Sequence, residues 1–119
     1  YIHSEAYAAG ELKHGTISLI EPGIPVITVA TQANILAKTI SNMEEVKARG
    51  GVIIAVCRKG TVFAEGTVDM KLEIDADLDD MMVPLPTVCA LQLIAYYTSV
   101  LRGIDPDKPR NLAKSVTTE

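Results

Sequence analysis

The sequence predicts an α/β fold built on a parallel sheet, and three observations carry that expectation. Residues 25–30 (PVITVA) and 52–57 (VIIAVC) are apolar, β-branched-rich runs without clear alternation, the pattern of strands covered on both faces. Between them, Leu36, Ile40, Met43 and Val46 recur at helical spacing, with Glu44, Glu45, Lys47 and Arg49 falling largely elsewhere. A helical crossover between two buried strands joins parallel neighbours, so the order strand, helix, strand points to a parallel sheet with helical layers.

The elements follow in chain order. Residues 1–15 carry Glu5, Glu11, Lys13, His3 and His14 and lack the apolar core of a signal peptide. After the first strand, Thr31 is the expected N-cap of a helix over 33–49. Lys47 and Arg49 suit the negative end of its dipole, and Gly50-Gly51 stops it. Residues 58–60 (RKG) read as a turn, and 61–66 as a short strand or a loop. Residues 70–74 (MKLEI) are a third strand candidate, and 75–80 an acidic, solvated loop. Residues 87–102 form a second long helix, apolar nearly all round, which Gly103 ends. Pro106 and Pro109 keep 105–110 irregular, and 111–119 is a polar tail. A helix apolar on every side needs cover on every side. Three strands and two helices cannot supply it, so a partner chain or further sequence must. A homodimer or larger assembly is expected.

Composition bounds the function. The 119 residues suit one domain, and 48% hydrophobic against 22% charged residues is a globular balance. The core must be aliphatic, because aromatics make up 4% and Trp is absent. A net charge of −4 argues against a general nucleic-acid or anionic-membrane binder. The longest apolar region, 83–101, is interrupted by Pro84, Pro86, Gln92, Thr98 and Ser99, so no membrane span is expected. Cys57 and Cys89 cannot form a disulfide framework or a zinc quartet. They are expected to be buried, inert thiols in a reducing, cytoplasmic setting. No GxGxxG or GxxxxGK[ST] motif is present, and the two histidines lack metal-ligand spacing, so neither cofactor nor metal is expected.

Two residues carry chemistry of their own. His14 stands in a short, charged, Gly-bounded segment, where an imidazole can move protons near neutrality. Lys114 stands in the tail, where a lysine amine can form a Schiff base with a carbonyl if its pKa is lowered. Taken alone, each is more simply a solvated side chain.

The longer motifs change that balance. The opening YIHSEAYAAGELKHG (1–15) and the ending DKPRNLAKSVTTE (107–119) resemble conserved stretches in the isomerase half of the glutamine–fructose-6-phosphate aminotransferases. NMEEVKARGG (42–51) and LQLIAY (91–96) agree with the same family. The resemblance covers essentially the whole chain. It implies a sugar-isomerase (SIS) domain, a three-layer αβα, doubly wound parallel sheet of about five strands. Residues 1–119 would be the C-terminal part of one such domain, with its N-terminal strands upstream and 104–119 as an active-site tail. It also implies conversion of fructose 6-phosphate to glucosamine 6-phosphate, with ammonia from glutamine.

Lys114 matches the family lysine that forms the Schiff base with the open-chain sugar. His14 matches the histidine assigned to ring opening, serving the neighbouring subunit. Ala113 matches a tail residue whose backbone lies against the sugar. Thr16 stands where the family usually has Pro, and Thr118 where it is usually apolar. The family's glutamate base and its phosphate-binding loops lie upstream of the segment matching Tyr1, so these 119 residues alone are expected to be inactive. Two other readings remain open: another SIS-type phosphosugar isomerase or deaminase, and a non-catalytic sugar-phosphate-binding module.

Overall fold

The computed structural model describes residues 1–75 and 77–110. Its sheet has three parallel strands in sequence order: β1 (Pro25–Ala30), β2 (Val52–Arg58) and β3 (Met70–Ile74). Val26 pairs with Ile53 across β1–β2, and Val56 with Leu72 across β2–β3. This register sends Ile53 and Ala55 to one face of the sheet and Val56, with Leu72 and Ile74, to the other. Helix α1 (Leu36–Lys47) closes the first face with Met43 and Val46. Helix α2 (Pro84–Leu101) closes the second with Ala90, supported by Leu91 and Ile94. Three αβα layers result, and the expected parallel α/β class holds.

β2 is central and the most deeply buried strand, with Ile53, Ala55, Val56 and Cys57 fully enclosed. β1 is less covered: Ile27 and Val29 on the α2 side remain exposed, because α2 lies over β2 and β3 instead. Residues 59–69, which link β2 to β3, form a loop rather than a strand. Its Phe63 and Val68 pack against the α1-side core, and Gly66 turns at φ +78°.

Several expectations need correction. Thr31 does not cap α1. A single 3-10 turn, Ala33–Ile35, intervenes, and α1 begins at Leu36 without a side-chain cap. The Ala33 N–H is instead satisfied by Asp80 Oδ1 at 3.3 Å, from a loop distant in sequence. Arg58 continues β2 rather than turning. α2 begins at Pro84, not at 87, because a helix's first turn needs no N–H donors and accepts proline. Cys89 is exposed on α2, whereas Cys57 is buried as expected, and burial followed by the charge of Glu73 pushes its thiol pKa up. The acidic loop is not merely solvated: Asp80 pairs with Arg58 at 2.6 Å and Asp75 with Lys59 at 2.7 Å.

By length and composition α2 could cross a membrane. Here Ala90, Leu91 and Ile94 pack on the sheet, while Leu93, Tyr97 and Val100 form an exposed stripe beside them and Leu101 is exposed at the helix end.

A clasp at the amino end of the sheet joins three elements. Lys47 Nζ, at the end of α1, reaches both Asp69 oxygens at 2.6 Å. Asp69 Oδ2 accepts the Ile53 N–H at 2.7 Å, and the Asp69 N–H donates to Ile53 O at 3.0 Å. The Lys47 bond, then the Ile53 bond, holds the Asp69 carboxyl below the usual carboxylate range. A depressed folded pKa adds stability above the unfolded pKa and loses it as pH falls through the folded one. Wild type should therefore exceed Asp69→Asn in urea stability at neutral pH, and the gap should close as the pH is lowered below about 4. Nearby, a Cβ on Gly51 would lie 2.7 Å from Val46 Cγ1, a buried core atom. Gly51→Ala should cost about 1–3 kcal/mol in the same urea experiment.

Candidate functional site

The segment bearing His14 is built from two consecutive 3-10 turns, Leu12–His14 and Thr16–Leu19, with Gly15 between them. Their backbone is closed locally: His14 N–H donates to Glu11 O at 3.0 Å, and Ser18 N–H to Gly15 O at 3.0 Å. Apolar anchors flank the histidine. Leu12 and Ile20 pack against the α1-side core, and Ile17 is buried. His14 stands outward between them, exposed, and its ring has no hydrogen-bond or ion-pair partner among the described residues. A ring so presented can reach a group outside this fold unit.

Upstream of these turns, the Glu5 carboxylate accepts the Tyr7 hydroxyl and meets His3 Nε2 at 3.1 Å. The Tyr7 bond, then the His3 bond, lowers the Glu5 pKa, and the same carboxylate raises that of the Tyr7 phenol.

Lys114 and Ala113 lie outside the described residues. The structure does fix the root of their tail. The Tyr1 hydroxyl accepts the Arg110 N–H, and the Arg110 guanidinium sits 4.5 Å from the centre of the Tyr1 ring. The first residue and the tail root are thus in contact. His14 does not line the hollow formed there.

The opposite end of the sheet holds a second crevice, of about 280 Å³, where open α/β sheets commonly bind ligands. Val29, Thr31, Ile35, Thr39, Pro84 and Thr87 contribute to its walls. Two hydroxyls there are already engaged, Thr39 to Ile35 O at 3.2 Å and Thr87 to Val83 O at 2.8 Å. Behind it, Arg58 donates through Nε to Thr31 O at 2.7 Å, through Nη1 to Leu78 O, and through Nη2 to Asp80. Sequence patterns assign no role to Arg58 or Asp80, and no local signal announces a pairing between them. The described residues contain no cluster of His, Cys, Asp or Glu able to hold a metal ion.

The family assignment rests on a match to the whole of this architecture. A family model described as the SIS domain matches residues 1–102. The chain belongs to the SIS domain family. This SIS chain is 54% identical over all 119 residues to a glutamine–fructose-6-phosphate aminotransferase [isomerizing] of Caldanaerobacter subterraneus subsp. tengcongensis, covering 19% of that protein. It is 47% identical over 119 residues to the enzyme of the same name from Methanothermobacter thermautotrophicus, covering 20% of it. Among solved structures, it is similar to the C-terminal domain of glucosamine-fructose-6-phosphate aminotransferase from Francisella tularensis. That match has a TM-score of 0.79 and 38% identity, and covers 92% of this SIS chain and 31% of the other. The SIS chain thus spans about a fifth of the length of the curated relatives it matches.

The geometry separates the exposed His14 side chain from the packing of the turns that carry it. His14→Asn should leave unfolding free energy within about 0.5 kcal/mol of wild type. Ile17→Ala, which empties a buried anchor of the same turns, should cost about 2 kcal/mol or more. Urea titration of the two variants checks both.

Proposed function

We propose that this chain is part of an enzyme that makes glucosamine 6-phosphate from fructose 6-phosphate and glutamine-derived ammonia, and that it supplies a lysine and a histidine to the isomerase site. The observation that carries this reading is the end-to-end similarity to enzymes of that name, 54% and 47% identical across all 119 residues. Both long motifs fall within that span, the one with His14 and the one with Ala113 and Lys114.

The chemistry follows from the residue types. The Lys114 amine adds to the C2 carbonyl of the open-chain sugar and expels water, leaving an iminium. Ammonia adds at C2 and displaces the Lys114 amine, so the C2–Nζ bond breaks, and the new cationic iminium withdraws electrons and eases proton loss from the adjacent carbon. The His14 imidazole assists ring opening by moving a proton between ring oxygen and hydroxyl. Its outward, unpartnered placement supports service to the site of a neighbouring subunit. The Ala113 backbone lies against the sugar. The chain spans about a fifth of the length of these relatives, and turnover is proposed for the whole protein. The parent enzyme acts in the cytoplasm.

Assembly is part of the same proposal. The exposed apolar side of α2, with Leu93, Tyr97 and Val100, is the face a second copy would cover.

Two experiments on the full-length protein test the reading. Borohydride with fructose 6-phosphate should trap sugar on Lys114, and Lys114→Arg should abolish the adduct. An adduct on a different lysine, or none, would refute the assignment. His14→Asn should lower kcat about 10²–10⁴-fold, and mixing it with Lys114→Arg subunits should restore part of the activity if His14 acts across subunits. For assembly, the double variant Leu93→Asp/Tyr97→Asp should convert a dimer or larger species to monomer in sedimentation analysis.

A further inference from the structure

The crevice at the carboxyl end of the sheet gathers buried hydroxyls that the proposed sugar chemistry does not use. Among the described residues the buried polar ones are Thr31, Thr39, Thr67 and Thr87, and all but Thr67 line this crevice. They come from separate elements: Thr31 follows β1, Thr39 sits in α1 and Thr87 in α2. Val29, Ile35, Pro84 and Val88 supply apolar wall beside them, and His14 is not among the lining residues.

The three hydroxyls differ in what they can still do. A hydroxyl has one proton and two acceptor lone pairs. Thr39 gives its proton to Ile35 O and Thr87 gives its own to Val83 O, so toward a ligand each can only accept. Thr31 is 3% exposed, and its hydroxyl has no hydrogen-bond partner among the described residues; its carbonyl takes the Arg58 Nε–H at 2.7 Å. No side-chain oxygen among those residues is sealed off without a partner, so the Thr31 hydroxyl opens to the crevice that its residue lines. Its proton is available to an acceptor there.

The same surroundings exclude charge. None of the lining residues is charged. The Arg58 guanidinium behind them is committed to Thr31 O, Leu78 O and Asp80. A helix start ordinarily favours an anion, but Pro84 and Pro86 have no N–H, and those of Leu85 and Thr87 donate to Met82 O and Val83 O. A phosphate, carboxylate or ammonium would enter without a counter-charge, and desolvating an unpaired charge is costly. Two acceptors and one donor beside aliphatic walls match a primary amide instead. Its NH2 offers two protons, its carbonyl takes one, and its alkyl group meets the valines and Ile35.

We propose that this crevice binds a small uncharged aliphatic amide, with Thr31 donating to its carbonyl and Thr39 and Thr87 accepting from its NH2. The volume of about 280 Å³ admits a short branched alkyl chain. The inference goes beyond the sugar reaction and does not rest on it, because sugar phosphates and free amino acids carry charges that the crevice does not pair.

Ligand-observed NMR titration of the full-length protein tests this, with isobutyramide as the probe and isobutyrate, its isosteric anion, as the control. Saturable binding of isobutyramide, about tenfold or more tighter than that of isobutyrate, is the expected result. Thr31→Val keeps the side-chain shape but removes the donor, and should weaken isobutyramide about five- to tenfold, whereas Thr31→Ser should bind it as wild type does. Val88→Trp fills the crevice from a half-exposed helix position and should abolish binding. No saturable binding, equal affinity for the anion, or unchanged affinity in Thr31→Val or in Val88→Trp would overturn the proposal. Circular-dichroism spectra and urea midpoints establish that each variant is folded, and Val88→Trp decides on its own if Thr31→Val is not.

Discussion

The carboxyl end of this sheet depends on one guanidinium. Arg58, three-quarters withdrawn from solvent, spends its donors on the Thr31 carbonyl, the Leu78 carbonyl and the Asp80 carboxylate. Those acceptors belong to the segment leaving β1 and to the loop leading into α2. Asp80 extends the connection by accepting the Ala33 N–H, at the turn that opens the way to α1. One side chain at the tip of the central strand therefore orients both helices, which lie on opposite faces. A partly buried charge is tolerable because it is fully paired. Removing one partner would leave the other without compensation, so the helices and the strand ends form a single unit.

How much of this is legible in the sequence follows from the range of each interaction. β1 and β2 are readable because a strand covered on both faces must be apolar throughout. α1 is readable because one buried face imposes its period. Errors arise where the deciding partner is remote. Thr31 has the right chemistry for a cap, but Asp80 satisfies the turn that Thr31 precedes. Residues 84–86 look like a helix breaker, yet two prolines fit a first turn. An apolar helix argues for a buried Cys89, yet that side of the helix lies outward. The roles proposed for His14 and Lys114 are legible only through long motifs, since in sequence neither differs locally from a surface residue. The pairing of Tyr1 with Arg110 spans nearly the whole chain, and no periodicity encodes it.

The two faces of α2 put opposite demands on one helix. Ala90, Leu91 and Ile94 meet the sheet, and small Ala90 allows close approach to Val56 and Ile74. The other face keeps Leu93, Tyr97 and Val100 in contact with water. The Thr98 and Ser99 hydroxyls donate to Ile94 O and Ala95 O, one helical turn back. Such bonds satisfy the two hydroxyls within the helix, while Gln92 keeps a polar group on its exposed surface.

The tight corner where Gly50 and Gly51 follow α1 has a mechanical meaning. The Gly23 N–H donates to Gly50 O at 2.9 Å, and a Cβ on Gly50 would meet Pro22 Cα at 3.0 Å. The entries to β1 and β2 are thereby held side by side with no side chain between them. Ile20, two residues before this corner, packs on the same core as Val46 near the end of α1. The turns that carry His14 are thus moored to the α1-side core by Leu12 and Ile20, while the imidazole itself stands clear of that core and exposed.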